Sequence, residues 1–531
     1  AVTIKASYNL DKTKGDPSAR AYMYDSIVTL GLVEGHEHTL TATDESIVTA
    51  YYNARFVSGT INTNTGAMTI KAEGRSYALA GEYVSSTSNS SATLSIVAYG
   101  CIKATATASG SFNAYAGADE GAVATLASLT IRAPYQIYAY AYCAAPTLGA
   151  SVVTASTNEA NAIVTGIYNA TGTTLKYYNS EVGLRAGVNG GNGTIHISSG
   201  DVSITASGST GCEAIIFSSS FSASIASVNA STATSTMNIT QRAYIGGTNL
   251  VMDDDNHGNV TLQSNVGTSS SPVLSNARVG STSGSTSLNI VGVDTNEVYA
   301  YSRVNNYASI TGGSIQTGGD VRVAAATYSK ANAESVGAFN MSMVAVGALY
   351  AESVSCDYTN ANIDGADISA ASVTIDAQGS TISRTCGGTP GSLTAVSVNN
   401  KQGLAVIGST NGSKKNTVKA YVGNNANITT TGDVNITAYN AGDVEMTLTT
   451  GLNVSAVEVS DTSLRSYAYL YTEAGVYSGA TVTTTSKESN VSIYAYDYLH
   501  EYEYIGGTDL DLSLLGQSED SYAENNGNQE V

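Results

Sequence analysis

One short phrase recurs along this chain of 531 residues: an aliphatic residue, a polar one, Ile, a polar one, Ala. It reads Val2-Thr3-Ile4-Lys5-Ala6, then Met68-Thr69-Ile70-Lys71-Ala72, Leu129-Thr130-Ile131-Arg132-Ala133 and Val202-Ser203-Ile204-Thr205-Ala206. Further copies begin at Val373, Val434 and Val491, with looser ones at Val260 and Val321. The mean spacing is (491 − 2)/8, about 61 residues. A period of that kind marks an array of stacked structural repeats rather than one globular enzyme domain.

Within each phrase the apolar positions alternate with polar ones, which is the signature of a strand with one buried face. Gly-Asp precedes three copies, at 200–201, 319–320 and 432–433. Gly tolerates positive φ and Asp bonds its own backbone, so the pair announces a tight corner. No stretch carries apolar residues at helical spacing, and Thr, Ser, Val, Asn and Gly favour strands and turns. Small residues fill many inward positions, as over 324–338, so the interior must be thin. The pattern predicts an all-β parallel β-helix (a β-solenoid) without significant helix; the competing architecture is a set of immunoglobulin-like sandwiches. Coils of roughly 20–30 residues, two or three per sequence repeat, would give ~20–26 coils and a rod ~100–125 Å long at the usual strand spacing.

Tyr244-Ile245-Gly246-Gly247-Thr248-Asn249-Leu250 returns as Tyr504-Ile505-Gly506-Gly507-Thr508-Asp509-Leu510. The echo divides the chain into solenoid halves over 1–250 and 251–515, as lobes of one rod or as separate domains, followed by a polar, acidic tail over 516–531. Net charge is −20. That excludes nucleic acid and anionic membranes as expected partners, and no run of about 20 apolar residues is present to span a bilayer. The chain opens on a strand pattern without Met, as a mature secreted chain would. The five cysteines form no CxxC pair; Cys356 and Cys386 are close enough in sequence to bridge, or each is a small buried apolar residue.

Chemistry-bearing motifs are few. Asp253-Asp254-Asp255-Asn256-His257-Gly258 resembles the start of a calcium loop, with Asp253, Asp255 and Asn256 as oxygen donors. His257 occupies a ligand position and Ser264 stands where a closing Glu belongs, so an exposed polar turn is the competing reading. No other cofactor is expected. Glu34, His36 and His38 alternate at a metal-ligand spacing beside Gly35, which favours a loop. No nucleophile elbow, P-loop, dinucleotide fingerprint or HExxH is present, and a calcium-dependent polysaccharide lyase would need basic residues that are sparse here, so no enzyme is expected.

Tyrosine is the unusual residue, with 35 Tyr against 5 Phe and no Trp. It alternates at Tyr138, Tyr140 and Tyr142, again at Tyr467, Tyr469 and Tyr471, and again at Tyr494, Tyr496, Tyr498, Tyr502 and Tyr504. Each set lies on one strand face, as a structural ladder, a subunit interface or a platform for glycans.

Residues 418–428, Val-Lys-Ala-Tyr-Val-Gly-Asn-Asn-Ala-Asn-Ile, followed by Thr431-Gly432-Asp433-Val434-Asn435-Ile436-Thr437-Ala438, resemble the repeats of large bacterial exoproteins of the filamentous-haemagglutinin and adhesin type. The likeness covers about 300–500 well and 1–300 loosely. It implies a secreted right-handed β-helix at a cell surface, serving as adhesin, stalk or matrix component. The resulting expectation is a structural subunit of an extracellular filament or surface assembly, polymerising with itself by strand addition or end-to-end stacking. The expected contacts are the first strand (Val2, Ile4), the Tyr494–Tyr504 row and the tail, which a neighbouring subunit would hold. The alternative is a monomeric adhesin or stalk that binds surface glycans.

Overall fold

A computed structural model describes residues 3–8, 18–24, 37–46, 49–58, 61–80, 93–118, 120–165, 178–186, 193–253, 257–280, 286–336, 339–507 and 520–521. All regular elements among them are β-strands, joined in one sheet of 27 strands whose pairings are all parallel. The chain is a parallel β-helix, not a row of sandwiches, in which each coil lays its strands on those of the coil before.

The recurring phrase stacks on itself. Ile4, Leu40, Ile70, Ile131, Ile204, Leu262, Val323, Ile375, Ile436 and Ile493 are successive register partners in one column. One sequence repeat is therefore one coil, which corrects the expectation of two or three. The coil from Val373 to Val434 takes 434 − 373 = 61 residues. Ten levels stand only about 43 Å high at ~4.8 Å per step, so the long rod is also corrected. The reason lies in the long sides. In one coil the walls are Asp320–Val336, Phe339–Ser355, Tyr358–Asp364 and Asp367–Ala370. Short coils exist only at the first levels, where Ile4 to Leu40 takes 36 residues and Leu40 to Ile70 takes 30. The copy around Leu40 is invisible to the phrase because His38 holds the aliphatic position. His38 itself lies in a strand paired with Met68; Glu34 and His36 lie outside the described residues.

The interior is as thin as its small side chains require. Ser235 Oγ reaches Ser275 Oγ at 2.8 Å, and Ser353 Oγ reaches Ser383 Oγ at 2.7 Å, each pair bridging the two long walls. Two serines can meet only if the walls lie closer than the ~10 Å of ordinary stacked sheets. The phrase side is apolar and dry, with Leu129, Ile131, Val202, Ile204, Val434 and Ile436 fully buried. Beside it runs a polar ladder. Gln241 Nε2 donates to Ser264 Oγ at 3.0 Å, and Asn306 Nδ2 donates to Thr327 Oγ1 at 3.2 Å. Higher up, Asp357 accepts from the Val304 N–H at 2.9 Å, from Thr381 Oγ1 at 3.0 Å and from Ser329 Oγ. A buried polar group left without partners would cost ~1–3 kcal/mol, so this ladder penalises any slipped stacking.

The corner between the two short sides repeats a left-handed residue: Gly247, Gly312, Gly365 and Asn425, with φ of 63°, 64°, 61° and 58°. Only Gly and Asn adopt it cheaply. Strand Val202–Gly246 pairs with Thr286–Thr311 up to Gly246, so the ladder runs unbroken past residue 250. Asp520 and Ser521 of the tail pair in parallel with Ser463 and Leu464 of the same chain; the rest of 508–531 lies outside the described residues. Cys143, Cys212, Cys356 and Cys386 are free thiols, which corrects the suggested 356–386 bridge.

Candidate functional site

The last full coil closes with strand Val491–Gly507, laid along Val434–Ala468. Among the described residues no strand lies on its other edge. Its 17 residues therefore present a row of open N–H and C=O groups.

Side chains on this strand follow the phase of the phrase. Val491 and Ile493 stand over Val434 and Ile436 on the core side, yet they are 46% and 43% exposed because no further coil covers them. Carrying that phase forward places Ala495, Asp497, Leu499, Glu501 and Glu503 inward as well. Glu501 tops the column Ala78, Ala139, Cys212, Ser275, Ala331, Ser383 and Val444. Glu503 tops Ala80, Ala141, Ala214, Ala277, Ala333, Thr385 and Met446. Positions that are neutral at every lower level become carboxylates here.

These acids bridge the walls. Thr472 Oγ1 donates to Asp497, and Ser466 Oγ donates to Glu501. One oxygen each of Asp497 and Glu503 is buried without a partner. Burial pushes the carboxyls of Asp497 and Glu503 up, and the adjacent Glu501 charge pushes Glu503 further. Inward charges on a terminal strand discourage another chain from adding to it.

The outward face carries Tyr494, Tyr496, Tyr498, His500, Tyr502 and Tyr504. The five tyrosines are between 47% and 57% exposed. Tyr494 and Tyr496 stack at 5.9 Å between ring centroids, and Tyr502 and Tyr504 at 6.4 Å. His500 pairs with Asp443 one coil below at 2.9 Å, and that carboxylate raises the imidazole's pKa. The row is open to solvent along its length.

Other tyrosines climb the stack at the corner instead. Tyr307 meets Tyr358 at 5.5 Å, and Tyr421 stacks on Tyr477 at 4.6 Å. Glu473 sits beside the upper pair and accepts from Tyr471 at 2.8 Å, from Tyr477 at 2.5 Å and from Lys419 at 2.7 Å. Burial acts to raise the Glu473 pKa, but these donors outweigh it and hold the carboxyl below its usual value. This cluster is satisfied within itself.

The remaining sequence candidates stay apart. Asp253 pairs with His196 Nε2 at 2.6 Å; Asp255 and Asn256 lie outside the described residues. Among the described residues no group of three or more His, Cys, Asp or Glu converges as a metal centre would. Val2 lies outside the described residues, and Ile4 is placed through its backbone pairing with Leu40. The inward acids escape notice in the sequence because the tyrosines dominate that segment. The signal was the phase of Val491-x-Ile493-x-Ala495 extended eight residues. No family model, no curated protein and no solved structure matches this chain.

Proposed function

We propose that this protein is a structural subunit of a self-assembling surface or extracellular material, joined end to end through the last coil. The observation that carries the reading is the edge of Val491–Gly507, which combines open backbone groups, half-exposed core residues Val491 and Ile493, and the tyrosine row. A strand laid on that edge would continue the apolar column and bury the rings. At the opposite face of the stack, Thr3–Tyr8 pairs only with Glu37–Ser46 among the described residues, and it carries the same phrase. A head-to-tail contact of this type does not close on itself and so extends into a filament.

The inward acids set the condition for that contact. The inward carboxyls of Asp497 and Glu503, both raised in pKa by burial, oppose a covering strand when ionised, and their protonation weakens the opposition. The test is electron microscopy and light scattering of the full chain. D497N/E501Q/E503Q should form filaments at pH 7.5 where the parent stays dispersed, and V491D/I493D added to it should abolish them. Dispersed triple variant, or filaments indifferent to V491D/I493D, would sink the reading.

A second reading, as a glycan-binding surface protein, draws support from the near-parallel, exposed rings of Tyr494 and Tyr496. It requires binding to a glycan array that Y494A/Y496A removes.

A further inference from the structure

One side of the stack is turned inside out. Over six levels the segments around Val153, Ala226, Val291, Val344, Val396 and Val457 lie on one another in register. A parallel column runs through Val228, Val293, Val346, Val398 and Val459, and another through Leu288, Met341, Leu393 and Val454. Here the outward residues are the apolar ones. Val152, Ile225, Val228, Leu288, Ile290 and Met343 are all exposed, Met343 by 60%. The inward residues are mostly polar: Ser227, Asn289, Thr394, Ser397, Ser455 and Ser460 are buried, with Ala345 among them. Several are bonded: Asn289 Nδ2 donates to Ser227 Oγ at 2.7 Å, Ser224 Oγ donates to Asn289 Oδ1 at 2.6 Å, and Asn399 Nδ2 donates to Ser397 Oγ at 2.8 Å, while Thr394 Oγ1 is buried without a partner. Apolar surface is therefore held outward by a largely polar interior, not left over from a core.

We infer that this wall is a lateral docking face for a second copy of the same chain, packed sheet on sheet. The partner follows from the geometry. The face is ribbed by side-chain columns repeating at ~4.8 Å, and a surface with the same rib spacing is another β-stack, of which a second copy is the one always present. Its columns are made of Val, Leu, Ile, Met and Ala with no charged member. On a chain of net charge −20, two copies meet with least repulsion through an uncharged face. Five steps of ~4.8 Å by five residues of ~3.3 Å give about 400 Å² per copy. That is the size of a functional patch on a monomer and the low end of what a weak interface buries. The contact is therefore weak between single subunits and gains strength only when many copies are aligned, as in a filament bundle.

The contact uses none of the residues of the terminal edge, so the two are separable. Sedimentation equilibrium of the full chain at pH 7.5, where the acids close the end, should show a reversible dimer in the range of tens to hundreds of micromolar. I290K/M343K should abolish it while keeping the circular dichroism of the parent, and V491D/I493D should leave it unchanged. A strictly monomeric parent at millimolar concentration, or a dimer indifferent to I290K/M343K, overturns the inference. Loss of the dimer with V491D/I493D assigns it to the end instead and overturns it equally. A monomer that floats with phosphatidylcholine vesicles through Ile290 and Met343 replaces the second copy by a lipid surface and also overturns it.

Discussion

Asp357 is a carboxyl enclosed by this fold, 3% exposed, and its charge can be weighed. Burial raises its pKa from 3.8 to about 6, against the opposing effect of Ser329, the Val304 N–H and Thr381. A carboxyl held above its unfolded value binds its proton more tightly when folded. Its contribution to stability is therefore fully present below pH 3.8 and is lost as pH rises through about 6. At about 1.4 kcal/mol for each tenfold step, the gap corresponds to about 3 kcal/mol of stability lost by pH 8. Asn at 357 is neutral at every pH and nearly the same shape, and the Ser329 and Thr381 hydroxyls can turn to accept from its amide. Urea unfolding midpoints of D357N and the parent, at pH 3.5 and pH 8, isolate the charge. The stability of D357N relative to the parent should rise by about 3 kcal/mol between the two pH values. A relative stability constant to within about 0.5 kcal/mol would mean that Asp357 carries no such burden.

Three further outcomes are expected. Gly313→Ala should cost clearly more than Gly365→Ala: both have positive φ, but a Cβ at 313 would meet the Thr248 carbonyl at 2.4 Å whereas one at 365 meets nothing within 4 Å. Thermal melts should show about 1–2 kcal/mol for the second and more for the first. Ile204→Ala, at a fully buried site, should cost about 2–5 kcal/mol, with hydrogen exchange rising in adjoining coils and unchanged four levels away. Glu503→Met, which repeats Met446 beneath it, should raise the melting temperature at pH 8 and lose that advantage as Glu503 becomes protonated; a gain that persists at pH 4 would point to packing rather than charge.

The architecture was legible in the sequence because its signal is local. Period-two alternation in Val434-Asn435-Ile436-Thr437-Ala438, Gly-Asp corners and small residues each specify a strand, a turn or a thin interior. Coil length was not legible, since a strand that continues through a gentle bend, as Val202–Gly246 does, leaves no turn residue to mark the side. The Tyr494–Tyr504 row was visible as alternation, and the structure places it outward on an open edge. The inward acids needed the phase of the strand as well as its composition. The inverted wall was harder still: Leu288, Ile290 and Val291 read as ordinary core residues unless the polar partners Ser227 and Asn289 are known to lie behind them.

The size of the coil has a mechanical meaning. Each level adds ~4.8 Å to the height of the stack, yet a coil such as Val373 to Val434 stores 61 residues. Pulled along the stacking axis, one detached coil would release roughly 200 Å of chain at ~3.3–3.6 Å per residue. Each level that gives way would become about forty times its stacked height, and the levels would yield one after another. Single-molecule stretching would register that as a sawtooth of nearly equal steps, with shorter ones from the two compact coils between Ile4 and Ile70.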